Sequence, residues 1–248
     1  MVDILEGAEP QSWSGDNHGV LVLHGFTGSP HSVRPWAQAF ANAGYTVELP
    51  LLPGHGTTVE DMITTSWTDW STAAEDAYQR LAGQCDLVMV AGLSMGGTLT
   101  AWLAARHPEI VGIELVNPAV MPQPEMEEML RPMMEAGEIT FDAIGSDIAM
   151  EGIVELAYDR TPLGPLVSLG EAIDDLQPLL ESIVCPVLLM TSPQDHVVVP
   201  ASSDHFASQV GGTVERVSLD RSFHVATLDF DAPLIEERSV EFASRVFD

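Results

Sequence analysis

The serine at position 94 stands in a sequence pattern that is typical of an activated nucleophile. The apolar run 87–91 has the length of a strand, the Gly-x-Ser-x-Gly motif 92–96 follows it, and residues 95–106 have helical character. At such a strand-to-helix corner the backbone doubles back and pushes the serine hydroxyl outward. Glycines suit the two ends of the motif because a side chain there would clash with the strand and the helix. The helix N-terminus also favours negative charge that develops beside Ser94, and we predict Ser94 as the nucleophile.

A serine hydroxyl needs a base to remove its proton and a third group to orient that base. Among eight histidines, His224 is the candidate base, because it lies in a loop after the last predicted strand and before the final helix. Asp195 is the candidate acid, since it leaves a hydrophobic strand for a loop and gives the chain order serine, acid, histidine. Asp220, close to His224 in sequence, is the alternative acid, and Asp204 lies in a predicted helix.

Two backbone amides are candidates for the oxyanion site that acyl transfer requires. Met95, the residue after the serine, supplies one N–H, and Phe26, in the loop after the first predicted strand, supplies the other. The Phe26 ring can pack into the core while its amide donates, so a structural role of the side chain is compatible with this prediction.

The other histidines are predicted to be structural or surface residues. We interpret His24 as a hydrogen-bonded support for the loop that holds Phe26, and His55 as structural, with a role on the substrate side as its alternative. The rest lie in polar or helix-end contexts: His18, His31, His107, His196 and His205. No histidine pair stands three or four residues apart beside a suitable carboxylate, so we expect no metal and no other cofactor.

The charge of the chain limits its partners. Its 248 residues include 37 acidic and nine basic side chains, all of the latter arginine, which gives a formal charge of −28. Such a field repels phosphate backbones and anionic head groups, so we exclude nucleic acid as a partner, whereas a neutral, partly apolar substrate is compatible with it. We interpret the acidic side chains as surface solvation, which is consistent with adaptation to salt.

The length, the cysteine number and the hydropathy of the chain limit the class of protein. The length, with 46% hydrophobic and 19% charged residues, suits one large core with a modest insertion, so we predict a single domain over 1–248. Cys85 and Cys185 each precede an apolar strand and are predicted to be free thiols. Residues 1–17 contain no basic segment followed by an apolar core, so we expect no signal peptide, and no apolar stretch approaches the roughly 18 residues that span a bilayer. We expect a soluble, cytoplasmic protein without stable membrane insertion.

Strands and helices alternate along most of the chain. The segments predicted as strands are 19–23, 45–49, 87–91, 110–116, 187–190 and 212–218. The segments predicted as helices are 32–43, 66–81, 95–106, 173–183, 201–209 and 233–247. Such units specify an α/β fold with a mostly parallel central sheet and helices on both faces. Functional groups in such folds gather at the carboxyl ends of the strands.

The segment 118–170 interrupts this alternation. It is rich in Met, Glu, Pro and Gly and has weak helical periodicity, so we predict a small helical cap insertion over the strand ends, with an ordinary surface excursion as the alternative. Its methionines either adapt to varied acyl chains or simply pack the cap. They are Met121, Met126, Met129, Met133, Met134 and Met150.

Four motifs together resemble the α/β-hydrolases, and more narrowly the small bacterial carboxylesterases and monoacylglycerol lipases. They are the His-Gly-Phe-Thr-Gly-Ser-Pro loop at 24–30, the Leu-Leu-Pro-Gly-His-Gly-Thr loop at 51–57, the serine motif at 92–97 and Ser-Phe-His-Val at 222–225. The likeness extends over 20–247 and is weakest in the predicted cap. The serine motif alone is typical of the superfamily, whereas its combination with the two loops is more specific.

The resemblance implies the α/β-hydrolase fold and hydrolysis of short- to medium-chain carboxylic esters through an acyl-enzyme, with monoacylglycerols among the candidate substrates. It assigns the nucleophile to Ser94, the acid to Asp195, the base to His224 and the oxyanion donors to Phe26 and Met95. It implies a small-molecule ester as the partner, and we expect a monomer or a homodimer as the assembly.

Two alternatives to this function remain at this point. The first is a non-catalytic protein that binds a small ligand on the same scaffold, and the second is hydrolysis of another acyl bond: thioester, lactone or amide. One departure from the family concerns the acid loop, where Ser192-Pro193-Gln194 precedes Asp195 in place of a glycine-containing turn.

Overall fold

The computed structural model describes residues 2–143 and 145–248, so Met1 and Ile144, the latter within the predicted cap, lie outside the described residues. The strands are β1 (Gln11–Trp13), β2 (His18–Leu23), β3 (Thr46–Leu49), β4 (Leu87–Leu93), β5 (Ile113–Val116), β6 (Thr140–Asp142), β7 (Arg160–Pro162), β8 (Val187–Thr191) and β9 (Val214–Ser218). The α-helices are α1 (Arg34–Asn42), α2 (Val59–Met62), α3 (Trp67–Ala82), α4 (Met95–Arg106), α5 (Pro124–Glu135), α6 (Leu163–Leu176), α7 (Ala201–Gln209) and α8 (Ala232–Phe247).

One mostly parallel sheet organises the described residues. Its strand order is β1-β3-β2-β4-β5-β8-β9, and β6 and β7 form a separate two-stranded antiparallel sheet. Within the seven-stranded sheet, only the pairing of β1 with β3 at one edge is antiparallel. The strand order reverses beside β2, because β3 pairs on one side of it and β4 on the other. The predicted α/β fold with a mostly parallel sheet is therefore confirmed.

Hydrophobic side chains cover both faces of this sheet, as the continuous apolar runs predict. One face packs against α3, α4 and α6, where Trp70 and Leu99 are fully buried. The other face packs against α1 and α8, where Trp36 and Phe242 lie in the second cluster. The central strands β2 and β4 contribute to both clusters, so they are held in place by packing from above and below.

Local signals place several helix ends where the sequence predicts them. Ser66 and Asp69 form a capping box at the start of α3, and Ser66 N–H donates to the Asp69 carboxylate at 2.9 Å. Pro35 stands in the first turn of α1, where its missing N–H costs nothing. These side chains satisfy or remove the donors that a helix start leaves without intrahelical partners.

The prediction of a helix over 173–183 is wrong in its boundaries. The α-helix α6 begins at Leu163, inside the predicted cap, and ends at Leu176, after which a 3-10 helix runs over Gln177–Ser182. Pro178 explains the end of α6, because proline cannot donate to a carbonyl in the preceding turn. The predictions also omit β1, a three-residue edge strand that is too short to show a periodic pattern.

The residues between β5 and α6 differ from the predicted helical segment. They contain α5 but also the antiparallel pair of β6 and β7, which the sequence analysis does not predict. Met129 and Met134 in α5 are largely exposed, at 56% and 43%, so they do not pack a core.

Among the described residues, no helix is both long enough and apolar enough to cross a bilayer.

The two cysteines are free thiols, as predicted. Burial raises the pKa of the Cys85 thiol, and burial raises that of Cys185 to about 11. A thiol with a raised pKa holds little thiolate near neutral pH and is a poor nucleophile. Both cysteines therefore act as small hydrophobic residues at the ends of strands.

Glu114 is a fully buried acid in the middle of β5, on the sheet face that α8 covers. Neither of its carboxyl oxygens has a hydrogen-bond partner among the described residues. Burial raises its pKa to about 8. The nearby Ser239 hydroxyl and the positive charge of Arg245 lower this pKa in part, whereas the negative charge of Glu215 raises it. Glu114 is consequently protonated in the folded protein at neutral pH.

Replacing Glu114 by glutamine is expected to stabilise the protein at alkaline pH. The folded chain keeps this proton up to about pH 8, whereas the ordinary carboxyl pKa is 4.5. The unfolded state thus loses the proton first, so the free energy of unfolding falls as the pH rises from 4.5 to 8. Urea unfolding should show a gain on the order of 5 kcal/mol for Glu114→Gln at pH 9 and little gain at pH 5. An equal difference at both pH values would contradict this account.

Candidate active site

Ser94 lies at the corner between β4 and α4 and holds a backbone conformation that side chains rarely adopt. Its φ is +56° and its ψ is −118°. The Ser94 N–H donates to the carbonyl of Val116 at 3.0 Å, which ties the corner to the end of β5. A Cβ added at Gly92 would lie 2.1 Å from the carbonyl oxygen of Gly96, so the strand and the helix meet through bare backbone. The Gly-x-Ser-x-Gly motif predicts such a corner, and strain of this kind is typical of a functional position.

Replacing Gly96 by alanine is expected to destabilise the protein severely. The added Cβ would lie 2.1 Å from the carbonyl oxygen of Leu23, and a backbone atom cannot move aside cheaply. We expect a loss of about 3 kcal/mol or more in the free energy of unfolding. Gly170 is the matched control, because it lies in α6 with nothing within 4 Å of an added Cβ. Gly170→Ala should stabilise the protein by about 0.5–1 kcal/mol in the same urea titrations, and equal effects of the two changes would contradict the packing argument.

The loop after β2, which contains Phe26, lies against Ser94. A Cβ added at Gly25 would lie 3.4 Å from the Cβ of Ser94 and 3.9 Å from its Oγ. The Phe26 ring packs edge-on to Trp70, with the ring centroids 5.6 Å apart. Met95 is the first residue of α4, where a helix leaves the N–H without an intrahelical acceptor. The backbone of this loop and the start of α4 therefore both border the serine.

Asp195 and His224 form a hydrogen-bonded pair. His224 Nδ1 lies 2.7 Å from Asp195 Oδ2, and the two side chains are 9% and 1% exposed. The other carboxylate oxygen, Oδ1, accepts the N–H groups of Val197 and Val198, each at 2.8 Å. These amides fix the orientation of the carboxylate, and a carboxylate on Nδ1 keeps a neutral imidazole protonated there and leaves Nε2 free to accept a proton.

The other two acids that the sequence analysis considers have different partners. Asp204 forms an exposed ion pair with Arg216 at 2.6 Å, and Asp220 accepts the hydroxyl of Ser218 at 2.5 Å. Of the three, Asp195 is the acid that contacts the ring of His224. It lies just beyond the carboxyl end of β8, where the α/β fold concentrates functional groups.

Asn117 joins the loops of the site and is absent from the sequence predictions. It follows β5 with a φ of +46°, and its side-chain N–H donates to the carbonyl of His224 at 2.8 Å and to Ser192 Oγ at 3.0 Å. The side-chain carbonyl oxygen of Asn117, Oδ1, accepts the N–H of Ser192 at 2.7 Å. Because the adjacent Val116 accepts the N–H of Ser94, the end of β5 is bonded to both the serine corner and the histidine loop.

Two acids from the segment between β5 and α6 lie near His224, and neither is predicted from the sequence. Asp147 Oδ2 accepts the N–H of His224 at 3.0 Å. Burial raises the pKa of the Glu155 carboxyl, which the charge of His224 and a hydrogen bond from Ser32 lower in part. Neither acid stands in a motif, and their positions depend on a long connection that sequence spacing does not encode.

His24 and His55 are both fully buried beside the loop of Phe26. Leu52 N–H donates to His24 Nε2 at 3.2 Å, and the His24 Nδ1 proton reaches the carbonyl of Gly25 at 3.0 Å. Burial lowers the pKa of His24 to about 4 and that of His55 to about 3. Both rings are therefore neutral at physiological pH, and their centroids lie 5.0 Å apart. Their contacts are those of loop supports.

A strained serine corner, a buried acid–histidine pair and a mostly parallel sheet define the class of the protein as an α/β-hydrolase. The family description serine aminopeptidase S33 (Hydrolase_4) matches residues 16–231, and the chain belongs to this family. The chain is 45% identical over 245 residues to a thermostable monoacylglycerol lipase of Bacillus sp. (strain H-257), covering 98% of this chain and 96% of that protein.

Other relatives agree on this class. A carboxylesterase of Bacillus subtilis (strain 168) is 26% identical over 247 residues, covering 96% of this chain and 97% of the other. A solved structure from work on LipS and LipT, two metagenome-derived lipolytic enzymes, has a TM-score of 0.93 and 41% identity, covering 98% of this chain and all of that one. A monoglyceride lipase of Saccharomyces cerevisiae shares the fold, with a TM-score of 0.76 at 14% identity, covering 96% of this chain and 91% of the other. These relatives place the protein among the lipase- and esterase-type α/β-hydrolases, and the ligand-binding alternative is not favoured.

Proposed function

We propose that the protein hydrolyses short- to medium-chain carboxylic esters, monoacylglycerols among them, through an acyl-enzyme on Ser94. The observation that carries this proposal is the 2.7 Å bond between Asp195 and His224, whose side chains are buried at the strand ends. A merely structural histidine does not need a buried carboxylate on one ring nitrogen and a free second nitrogen. The relatives that act on esters and monoacylglycerols support the substrate class.

The reaction begins when Ser94 Oγ attacks the carbonyl carbon of the ester and His224 Nε2 takes its proton. The backbone N–H groups of Phe26 and Met95 hold the resulting oxyanion, which such donors stabilise more strongly than the neutral carbonyl. The intermediate collapses as the bond to the alcohol breaks, and His224 gives its proton to the departing oxygen. Asp195 stabilises the imidazolium and holds its orientation without becoming protonated.

Water completes the cycle by attacking the acyl-enzyme. His224 removes the water proton, a second oxyanion forms on the same two amides, and the bond to Ser94 Oγ breaks as His224 returns the proton to it. A carboxylic acid leaves and the free serine is restored. Each step uses the same base and the same donors, so a single site suffices for both halves of the reaction.

We further propose that residues 118–170 form a cap over this site within a single domain that spans 1–248. Asp147 and Glu155 support the idea, since both belong to this segment and lie near His224. A cap of this kind excludes water from the acyl chain and borders the ester. It also gives the alcohol and acyl parts of a substrate more surface than the strand ends alone provide.

A fluorophosphonate probe and an ester panel test the proposal together. The probe should label the folded protein on the peptide that contains Ser94, and Ser94→Ala should remove the label. The panel consists of 4-nitrophenyl butyrate, octanoate and palmitate with the corresponding monoacylglycerols, and we expect turnover to be greatest for the shorter acyl chains. Absence of labelling, or labelling at another residue with turnover retained in Ser94→Ala, would overturn the proposed nucleophile.

A further inference from the structure

Residues 146–150, called the clasp segment below, lie across the loop that carries His224. The carboxylate of Asp147 accepts the backbone N–H of His224 at 3.0 Å, and the carbonyl of Asp147 accepts the N–H of Val225 at 3.1 Å. The successive backbone N–H groups of His224 and Val225 are thus both bonded to Asp147, a residue of another segment. Asp147 is 8% exposed, so water does not compete freely for these bonds.

Asp229, in the segment that follows His224, in turn accepts hydrogen bonds from the clasp segment. Its carboxylate accepts the N–H groups of Ala149 and Met150 at 2.7 and 3.0 Å, and also that of Phe223 at 2.9 Å. Asp229 is 2% exposed. Each segment therefore gives a buried carboxylate to backbone amides of the other, and the two segments form one hydrogen-bonded unit around His224.

The same carboxylate of Asp147 reaches the loop of the proposed acid. Its Oδ2 also accepts the N–H of His196 at 3.1 Å, and its Oδ1 lies 2.8 Å from His196 Nδ1. His196 follows Asp195 directly in the chain, and its ring packs edge-on to Phe223 at 4.6 Å. A single buried oxygen atom thus accepts one amide from the acid loop and one from the base loop.

We propose that Asp147 is a positioning residue, which holds the backbone of His224 and the backbone beside Asp195 at the separation that their catalytic hydrogen bond requires. This inference rests on the proposed role of His224 as the base. His224 lies in a loop outside regular secondary structure, and a catalytic ring must be held within about 0.5 Å of its working place. The clasp segment supplies that restraint, so the insertion positions the base as well as bordering the substrate.

The test compares two substitutions at this position on a soluble 4-nitrophenyl ester. Asp147→Ala removes both acceptors, and we expect kcat to fall about 10- to 100-fold while KM changes less than about threefold. The rate of fluorophosphonate labelling should fall by the same factor as kcat. Asp147→Asn keeps a carbonyl oxygen for the two amides and turns its NH₂ toward His196 Nδ1, which accepts as the Nε2–H tautomer. We therefore expect Asp147→Asn to retain kcat within about threefold.

Asp231 supplies a matched control in the same loop. It is 4% exposed, and it accepts the N–H of Arg221 at 2.8 Å and the hydroxyl of Ser222 at 3.0 Å, but these bonds touch neither His224 nor the clasp segment. Asp231→Ala should lower the melting temperature to an extent similar to Asp147→Ala and leave kcat within about threefold at 25 °C, since its broken bonds do not hold the base.

The outcomes separate this inference from the proposed function. Full activity of Asp147→Ala, together with inactive Ser94→Ala and His224→Ala variants, would overturn the positioning role and leave the nucleophile and base intact. Equal losses of kcat in Asp147→Ala and Asp231→Ala, or no recovery in Asp147→Asn, would assign Asp147 to stability alone. If Ser94→Ala itself retains turnover, the proposed function fails first.

Discussion

Ser94→Ala is expected to lower kcat for 4-nitrophenyl butyrate by on the order of 10⁴-fold or more. The change removes only Oγ, and the Cβ that the strained backbone already tolerates stays in place. No covalent intermediate can then form, and the remaining activity comes from the oxyanion donors and from substrate binding. The folded state should be preserved, so the melting temperature is expected to change by no more than a few degrees.

Ser71 provides the control for this change. It is buried to nearly the same extent, at 7% against 8% for Ser94, but it lies in α3 and its hydroxyl bonds to the carbonyl of Thr68. Ser71→Ala should keep kcat within about twofold, because the lost hydroxyl bonds only to the backbone of its own helix. Turnover by Ser94→Ala at more than a hundredth of the wild-type rate would rule out the acyl-enzyme on this residue.

Asp195→Asn is expected to reduce kcat by about 10³- to 10⁴-fold, although it changes a single heavy atom. The amides of Val197 and Val198 both donate to Oδ1, so the asparagine carbonyl must stay on that side. Its NH₂ then faces His224 Nδ1, which has to accept a hydrogen bond. The imidazole proton moves to Nε2, and His224 can no longer take the proton of Ser94.

Asp204→Asn is the matched control for this substitution. Asp204 is an exposed acid that pairs with Arg216, away from the ring of His224. An exposed ion pair contributes little to the free energy of unfolding, so we expect a small change in stability and a kcat within about twofold of the wild type. Retention of more than a tenth of kcat by Asp195→Asn would show that the carboxylate does not set the tautomer of the base.

The central strands of the sheet are predictable because they rest on local patterns. A run such as 19–23, apolar at every position, has to be covered on both faces, and that requirement alone places it in the middle of a parallel sheet. The serine corner is equally predictable from the sequence, since its glycines stand where the backbones of β4 and α4 are in contact. The capping box of Ser66 and Asp69 marks the start of α3 in the same way.

The polar residues that join the loops are not predictable from such patterns. Asn117 and Asp147 gain their partners from residues 75 to 107 and 49 to 77 positions away along the chain, and neither stands in a motif. Their roles depend on where long connections return to the sheet. The end of α6 is the opposite case, because Pro178 is visible in the sequence and a proline there is enough to end the α-helix.

The central claim is that Ser94 and His224 act as one catalytic unit, and a double-mutant comparison tests it most directly. The measurement is kcat for 4-nitrophenyl butyrate in Ser94→Ala, His224→Ala and the double variant. Groups that act in the same step are strongly non-additive, so the double variant should lose no more than about threefold beyond either single change. Losses that multiply in the double variant, as they do for independent sites, would contradict the account.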